Sequence, residues 1–239
     1  MKPSVILLDI EGTTTPISFV YDVLFPYARK HMRAWLDVHA QEAAVQEDLK
    51  LLAEENAADR SSGADVPAIS AGALQIGSAA DYLLWLMDRD RKSPALKSVQ
   101  GKIWESGYAS GELHSIVFPD VPEAMERWSH EGRRIVIYSS GSVLAQKLIF
   151  GHTQGGDLRG WIEDYFDTAV GAKTQTASYR AIAAKLGTAP DEILFVSDAP
   201  AELQAAQEAG FGVRLAVRPG NKPVDPGAGY ERVDSFAGL

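Results

Sequence analysis

Two acids, a glycine and three threonines follow a short apolar run near the start of the chain: Val5-Ile6-Leu7-Leu8-Asp9-Ile10-Glu11-Gly12-Thr13-Thr14-Thr15. Four consecutive apolar residues suit a strand buried on both faces, as in a parallel sheet. Asp9 then stands at the carboxyl end of that strand, where open α/β sheets place their ligands. A carboxylate removed from water is costly unless it is paired, hydrogen-bonded or bound to metal. Taken singly, Asp9 and Glu11 read as turn formers or helix caps. Together with the glycine and the hydroxyls they point toward phosphate and metal chemistry.

Three further groups of the same kind lie far along the chain. Ser139-Ser140-Gly141-Ser142 ends a second apolar run and leads into a helix, whose free N–H groups and dipole favour an anion. Lys173 follows Gly171-Ala172. Ser197-Asp198 ends another apolar run, with Glu202 a turn further on. Each has an ordinary explanation: serine as an N-cap, lysine as a solvated cation, aspartate as a cap for a helix near Pro200. Their joint placement at strand ends of one parallel sheet brings hydroxyls, a cation and three carboxylates to a single edge.

The elements that must position them divide into two parts. Val20, Leu24, Ala28, Met32 and Leu36 recur every four residues, a helical stripe that continues through Val45, Leu49 and Leu52 to about Asn56, with Pro26 tolerated near its start. Residues 57–77 read as a loop. Ser78-Ala79-Ala80-Asp81 has capping-box spacing before Tyr82, Leu83, Leu86 and Met87. Ser93-Pro94 reads as an N-cap and first helical residue before Leu96, Val99 and Ile103. No strand is evident from about 17 to 117. Helix and strand then alternate: a helix opens at Asp120 and closes at Gly132, and strands are expected over 134–139, 167–170, 193–196 and 213–217, with helices over 142–150, 175–186 and 200–209 between them. That alternation predicts parallel pairing with right-handed crossovers. The last twenty residues read as a surface tail. The expected architecture is a Rossmann-like α/β core of residues 1–16 and 118–239, with an all-helical cap of residues 17–117 inserted after the first strand.

Composition narrows the function classes. The chain has 239 residues, 23 Lys and Arg against 32 Asp and Glu, and a formal charge of −9. So acidic a surface argues against general nucleic-acid binding, and an anionic substrate would need local cations. With no cysteine, disulfides, zinc–thiolate sites and a Cys nucleophile are excluded. No stretch approaches the ~20 apolar residues of a membrane span, and the N-terminal residues lack a signal-peptide pattern, so a cytoplasmic protein is expected. The five histidines show no metal-ligand spacing. His39, His130 and His152 read as structural, and so does His114 in the loop after Gly107. Trp35, Trp85, Trp104 and Trp128 lie in helical segments and read as core.

Asp9-Ile10-Glu11-Gly12-Thr13-Thr14, Tyr138-Ser139-Ser140-Gly141-Ser142, Lys173 and Ser197-Asp198 resemble, in order, the four motifs of the haloacid dehalogenase superfamily. Most phosphatases there carry Asp-x-Asp in the first motif, where this chain has Asp-Ile-Glu. That feature, with Gln146-Lys147-Leu148, Gly210-Phe211 and Arg218-Pro219-Gly220-Asn221, makes the chain similar along its whole length to the enolase-phosphatase family of methionine salvage.

The resemblance implies a magnesium-dependent enzyme with one Mg²⁺ per subunit. It would enolise 2,3-diketo-5-methylthiopentyl-1-phosphate and then remove the phosphate to give an acireductone. Carried over, Asp9 is the nucleophile, Asp9, Glu11 and Asp198 hold Mg²⁺, Ser139, Ser140 and Lys173 bind substrate, and Asp9, Glu11 and Lys173 are catalytic. Glu11 is one methylene longer than the usual aspartate, and its contact with metal or substrate is left open. The helical insertion would read the methylthio tail, with Gly107 and Gly111 as hinge points. The expected partner is a small phosphorylated diketone acting on a monomer, with neither nucleic acid nor membrane involved. Rival readings are a phosphatase for another small phosphomonoester, a phospho-accepting signalling module and, more weakly, a dehalogenase.

Overall fold

The apolar run Val5–Leu8 forms the strand β1, and every residue in it is completely buried. A computed structural model describes residues 3–70, 75–224 and 229–239. Around β1 lie β2 (Arg134–Tyr138), β3 (Asp164–Phe166), β4 (Ile193–Ser197), β5 (Gly212–Ala216) and β6 (Arg232–Val233), in the sheet order β3-β2-β1-β4-β5-β6. All pairings are parallel. Leu8 pairs with both Ile137 and Val196, so Asp9 leaves the sheet level with the ends of β2 and β4.

The chain divides into two compact units, one of residues 1–21 and 114–239, the other of residues 22–113. In the first, alternation along the strands sends Val5, Leu7, Val136, Tyr138, Ile193 and Phe195 to one face. There they pack with Tyr179, Ile182 and Leu186 of α7 (Thr176–Leu186) and Leu203 and Ala206 of α8 (Pro200–Glu208). On β2 also packs α5 (Asp120–His130), through a stripe that includes Val121, Ala124, Met125 and the fully buried Trp128. The short helix α6 (Val143–Gly151) follows β2, N-capped by Ser142, whose Oγ accepts from Ala145 N at 3.3 Å.

The second unit is helical: α1 (Phe25–His39), α2 (Ala43–Ser61), α3 (Gln75–Asp88) and α4 (Pro94–Ala109). The stripe residues Ala28, Met32 and Leu36 are fully buried, as are Val45, Leu52, Tyr82 and Leu83. Ser93 caps α4 as expected, with Oγ accepting from Leu96 N at 3.0 Å.

Several expectations need correction. The helix over 20–56 is broken: α1 ends at His39, and Glu42 turns extended before α2, where the four-residue period lapses between Leu36 and Val45. Ser78 is not a cap, because α3 has already begun and its Oγ accepts from Ser70 N at 2.9 Å. The loop over 57–77 is shorter at both ends, its described part ordered by Asn56 through Pro67 O and Ile69 N; residues 71–74 lie outside the described residues. The third strand is Asp164–Phe166, since Asp167 Oδ1 accepts from Ala169 N and turns the chain there. The surface tail carries β6 and a buried Phe236 whose ring is tilted against Trp128 with centroids 5.5 Å apart, although residues 225–228 lie outside the described residues. Of the two proposed hinge glycines, Gly107 lacks that form. Gly111, at φ +77°, follows the end of α4. Gly107 lies inside α4, where a Cβ would stand 2.7 Å from the Tyr27 ring.

Gly107→Ala therefore sets a helix-propensity gain of about 1 kcal/mol against overpacking on a ring that Glu112 holds by a 2.8 Å hydrogen bond from Tyr27 Oη. Overpacking wins: the urea midpoint falls, with a net loss of about 1–2 kcal/mol. A midpoint equal to or above wild type would show that the ring gives way freely.

Candidate active site

Asp9 extends β1 by one residue, its N–H still donating to Val196 O at 3.0 Å, and its side chain is buried at the carboxyl edge of the sheet. Oδ1 accepts from Ile10 N at 2.7 Å and lies 2.6 Å from Lys173 Nζ. Oδ2 lies 3.0 Å from Ser197 Oγ at the end of β4. Two residues distant by 188 positions in sequence thus meet through the β1–β4 pairing.

Lys173 is buried as well, and its Nζ also lies 2.7 Å from Glu202 Oε2 in the first turn of α8. Burial opposes the ammonium form, but the carboxylates of Asp9, Glu202 and Glu11 outweigh it and hold the lysine pKa above its ordinary value. The cation is fixed by its backbone. Tyr179 Oη donates to Lys173 O at 2.7 Å, Ser178 Oγ to Ala172 O at 2.8 Å and Tyr138 Oη to Gly171 O at 3.0 Å. Gly171 has φ +136°, and a side chain there would run into Ser178.

The remaining acids feel the crowding. Burial, then the charge of Asp9, pushes Asp198 up to about 6 and Glu202 up to about 7. The same two causes raise Glu11. Ser197 Oγ lies 3.0 Å from both Asp9 Oδ2 and Glu202 Oε2, and one hydroxyl proton can serve only one of them. Lys173 is the cation these carboxylates share.

Glu11 points its Oε2 toward Ser139 Oγ, 3.3 Å away at the end of β2. Ser139 is buried and its Oγ accepts from Gly141 N at 3.1 Å, whereas Ser140 beside it is exposed. Asp198 approaches from the other side, so close to Gly12 that a Cβ there would overlap Oδ2; φ is +69° at that glycine. The structure thus joins Asp9 to Lys173, Glu11 to Ser139 and Asp198 to the Gly12 turn, and leaves Ser140 at the surface.

Other groups had no role in the sequence reading. Glu202 is a second partner for Lys173; an acid in the first turn of α8, where the helix dipole favours it, was the available signal. Gln146, fully buried, donates from Nε2 to Gly141 O at 2.9 Å and Phe166 O at 2.8 Å, and so holds the Ser139–Gly141 turn. Arg218 Nε donates to Thr13 O at 3.1 Å, and Asn221 Nδ2 to Gly12 O at 2.8 Å. Only a motif-level likeness had marked these last three.

The donors at this edge are hard oxygens of the kind magnesium takes. Among the described residues no group of three or more His, Asp or Glu side chains could hold a metal ion by itself. A cation would need backbone, substrate or water oxygens besides, which suits magnesium's retention of water. The raised Glu11 and Asp198 carboxylates mark negative charge that a cation would relieve. No helix among the described residues is long and apolar enough to cross a membrane.

A family model described as a haloacid dehalogenase-like hydrolase matches residues 3–210. The enolase-phosphatase E1 of Synechococcus elongatus is 53% identical over 222 residues, covering 93% of this chain and 92% of that protein. A probable bifunctional methylthioribulose-1-phosphate dehydratase/enolase-phosphatase E1 of Populus trichocarpa is 45% identical, covering 98% of this chain and 46% of the longer protein. The crystal structure of the UTR4 protein of Saccharomyces cerevisiae matches with a TM-score of 0.81 and 36% identity, each chain covered completely.

Because Lys173 compensates buried carboxylates, Lys173→Met leaves them without a partner. In urea at pH 8 without divalent cations the variant is expected to lose about 3 kcal/mol of stability, the cost of breaking a buried pair from one side. Unchanged stability would show that the acids discharge by taking up protons at little cost.

Proposed function

The chain belongs to the haloacid dehalogenase-like hydrolase family, and from that premise we propose that it enolises 2,3-diketo-5-methylthiopentyl-1-phosphate and then hydrolyses the phosphate ester to an acireductone. The observation that carries the reading is Asp9, buried at the sheet edge with Lys173 Nζ 2.6 Å from its Oδ1, in a chain 53% identical to an enolase-phosphatase E1.

Asp9 attacks phosphorus through its carboxylate and breaks the bond to the ester oxygen, which leaves with the enol and takes up a proton; water then hydrolyses the aspartyl-phosphate to free Asp9 and inorganic phosphate, so that one hard displacement becomes two easier ones. Two anions must approach for this to happen. Lys173, held by three pinned carbonyls, supplies a fixed positive charge to the transferring group. Ser139 donates to the phosphate from the end of β2, and Ser140, exposed beside it, offers a second hydroxyl. Asp9 and Asp198 would hold Mg²⁺ by their carboxylates and Glu11 by its backbone carbonyl, with the Glu11 side chain left toward Ser139. When bound, Mg²⁺ supplies charge neutralisation and polarises substrate oxygens.

Enolisation needs a base that takes a proton next to a carbonyl. Glu11 is placed for that work, two residues from the nucleophile and beside a substrate hydroxyl donor. The reading carries with it one Mg²⁺ per subunit, a monomer and a cytoplasmic setting.

Incubation with the diketo phosphate and Mg²⁺, following enol absorbance and phosphate together, tests the reading. Enol is expected first, then phosphate; phosphate with neither enol nor acireductone overturns the bifunctional assignment. Asp9→Asn should abolish phosphate release. Glu11→Gln should slow enol formation by about 10²–10⁴, the usual worth of a general base. Normal enol formation with phosphate release lost would remove Glu11 from that role.

A further inference from the structure

Asn221 lies in the turn after β5, in the Arg218-Pro219-Gly220-Asn221 sequence, and the proposed chemistry does not use it. Its amide orientation is fixed by two acceptors on one side: Nδ2 donates to Gly12 O at 2.8 Å and to Ala216 O at 3.3 Å. Oδ1 is therefore the oxygen, and it faces the other way. It is buried and has no hydrogen-bond partner among the described residues. A buried acceptor left unpaired carries the full cost of its lost hydration.

What it faces is informative. A Cβ built on Gly12 would stand 2.8 Å from Asn221 Oδ1 and would overlap Asp198 Oδ2. Two acceptor oxygens, Asp198 Oδ2 and Asn221 Oδ1, thus converge over the same glycine, and among the described residues Asn221 Oδ1 has no donor. Such a pair is unfavourable unless a cation, or a donor polarised by one, lies beside it.

We propose that Asn221 Oδ1 is an outer-shell acceptor for the divalent cation, taking a hydrogen bond from the hydrated ion beside Asp198, while Nδ2 positions the Gly12 carbonyl. Asn221 is a positioning residue in this account, since it acts through the cation and the turn. The inference rests on the magnesium reading of the site.

The test is Mn²⁺ affinity without substrate, by electron paramagnetic resonance of the free ion, on the full chain. Asn221→Ala is expected to bind Mn²⁺ about 10-fold more weakly, the lower end of outer-shell effects. Asn221→Asp keeps an acceptor, adds a charge and loses the Nδ2 donor. It is expected to bind at least as tightly as wild type. A purely structural role through Gly12 and Ala216 would make the Asp variant as weak as the Ala variant, and that result overturns the proposal. So does an Ala variant that binds like wild type. Should Asn221→Ala fail to fold, the Asp variant decides alone: Mn²⁺ binding about 10-fold weaker than wild type overturns the proposal. A wild-type chain that binds no Mn²⁺ would instead overturn the magnesium reading, and this inference with it.

Discussion

The site depends on one buried cation. Lys173 lies 2.6 Å from Asp9 and 2.7 Å from Glu202, in a region where Asp198 and Glu11 add two further carboxylates. Water is largely excluded, so those charges are not screened as they would be at the surface. The lysine is held by carbonyl contacts from Tyr138, Ser178 and Tyr179, and its position is accordingly a property of the core. Tyr179 in turn packs against Tyr138, Phe195 and Phe211 at centroid distances of 5.2–5.7 Å. A change in that aromatic cluster would move a charge, as well as altering packing.

The turn after β1 is governed in the same indirect way. Thr14 Oγ1 donates to Asp9 O at 3.1 Å, and three N–H groups from Thr13 to Thr15 donate to Ile10 O. Arg218 closes over Thr13 O with its guanidinium between Phe118 and Phe236, 4.8 and 4.3 Å from the ring centres, and pairs with Asp120 at 2.9 Å. Asp120 also accepts from Phe236 N at 2.6 Å. The backbone that follows Asp9 is thereby tied to the start of α5 and to the segment around Phe236, neither of which carries a residue given a role in the proposed chemistry.

Much of this was legible in the sequence because strand and site share one signal. An unbroken apolar run ending in a polar residue marks both a buried parallel strand and a position at the sheet edge, as at Leu8–Asp9 and Val196–Ser197. Where the run is weak the signal fails. β3 was displaced to 167–170 because Asp164-Tyr165-Phe166 has only one fully apolar residue, and the turn formed by Asp167 is a local hydrogen bond that periodicity does not register. The two-residue β6 lies below any periodicity at all. Glu202 and Gln146 were quoted in the sequence without a role because their roles depend on which backbone groups come near, and only the fold decides that. Gly107 was misread for the opposite reason. A glycine suggests freedom, whereas this one makes room for a ring.

The distances along the chain set an order for biosynthesis. Asp9 leaves the ribosome 188 positions ahead of its hydroxyl partner Ser197, and Thr13 leaves it 205 positions ahead of the arginine that holds it. Until β2 emerges, β1 is an apolar tetrapeptide with neither neighbouring strand, and until β4 emerges it still lacks one of the two. The helical unit, made of contacts local to residues 22–113, is synthesised whole in the interval. Long-range strand pairing forms slowly and leaves edges exposed meanwhile. Chaperone demand should therefore concentrate on the exposed β1, and the surroundings of Asp9 are complete only once Arg218 has emerged.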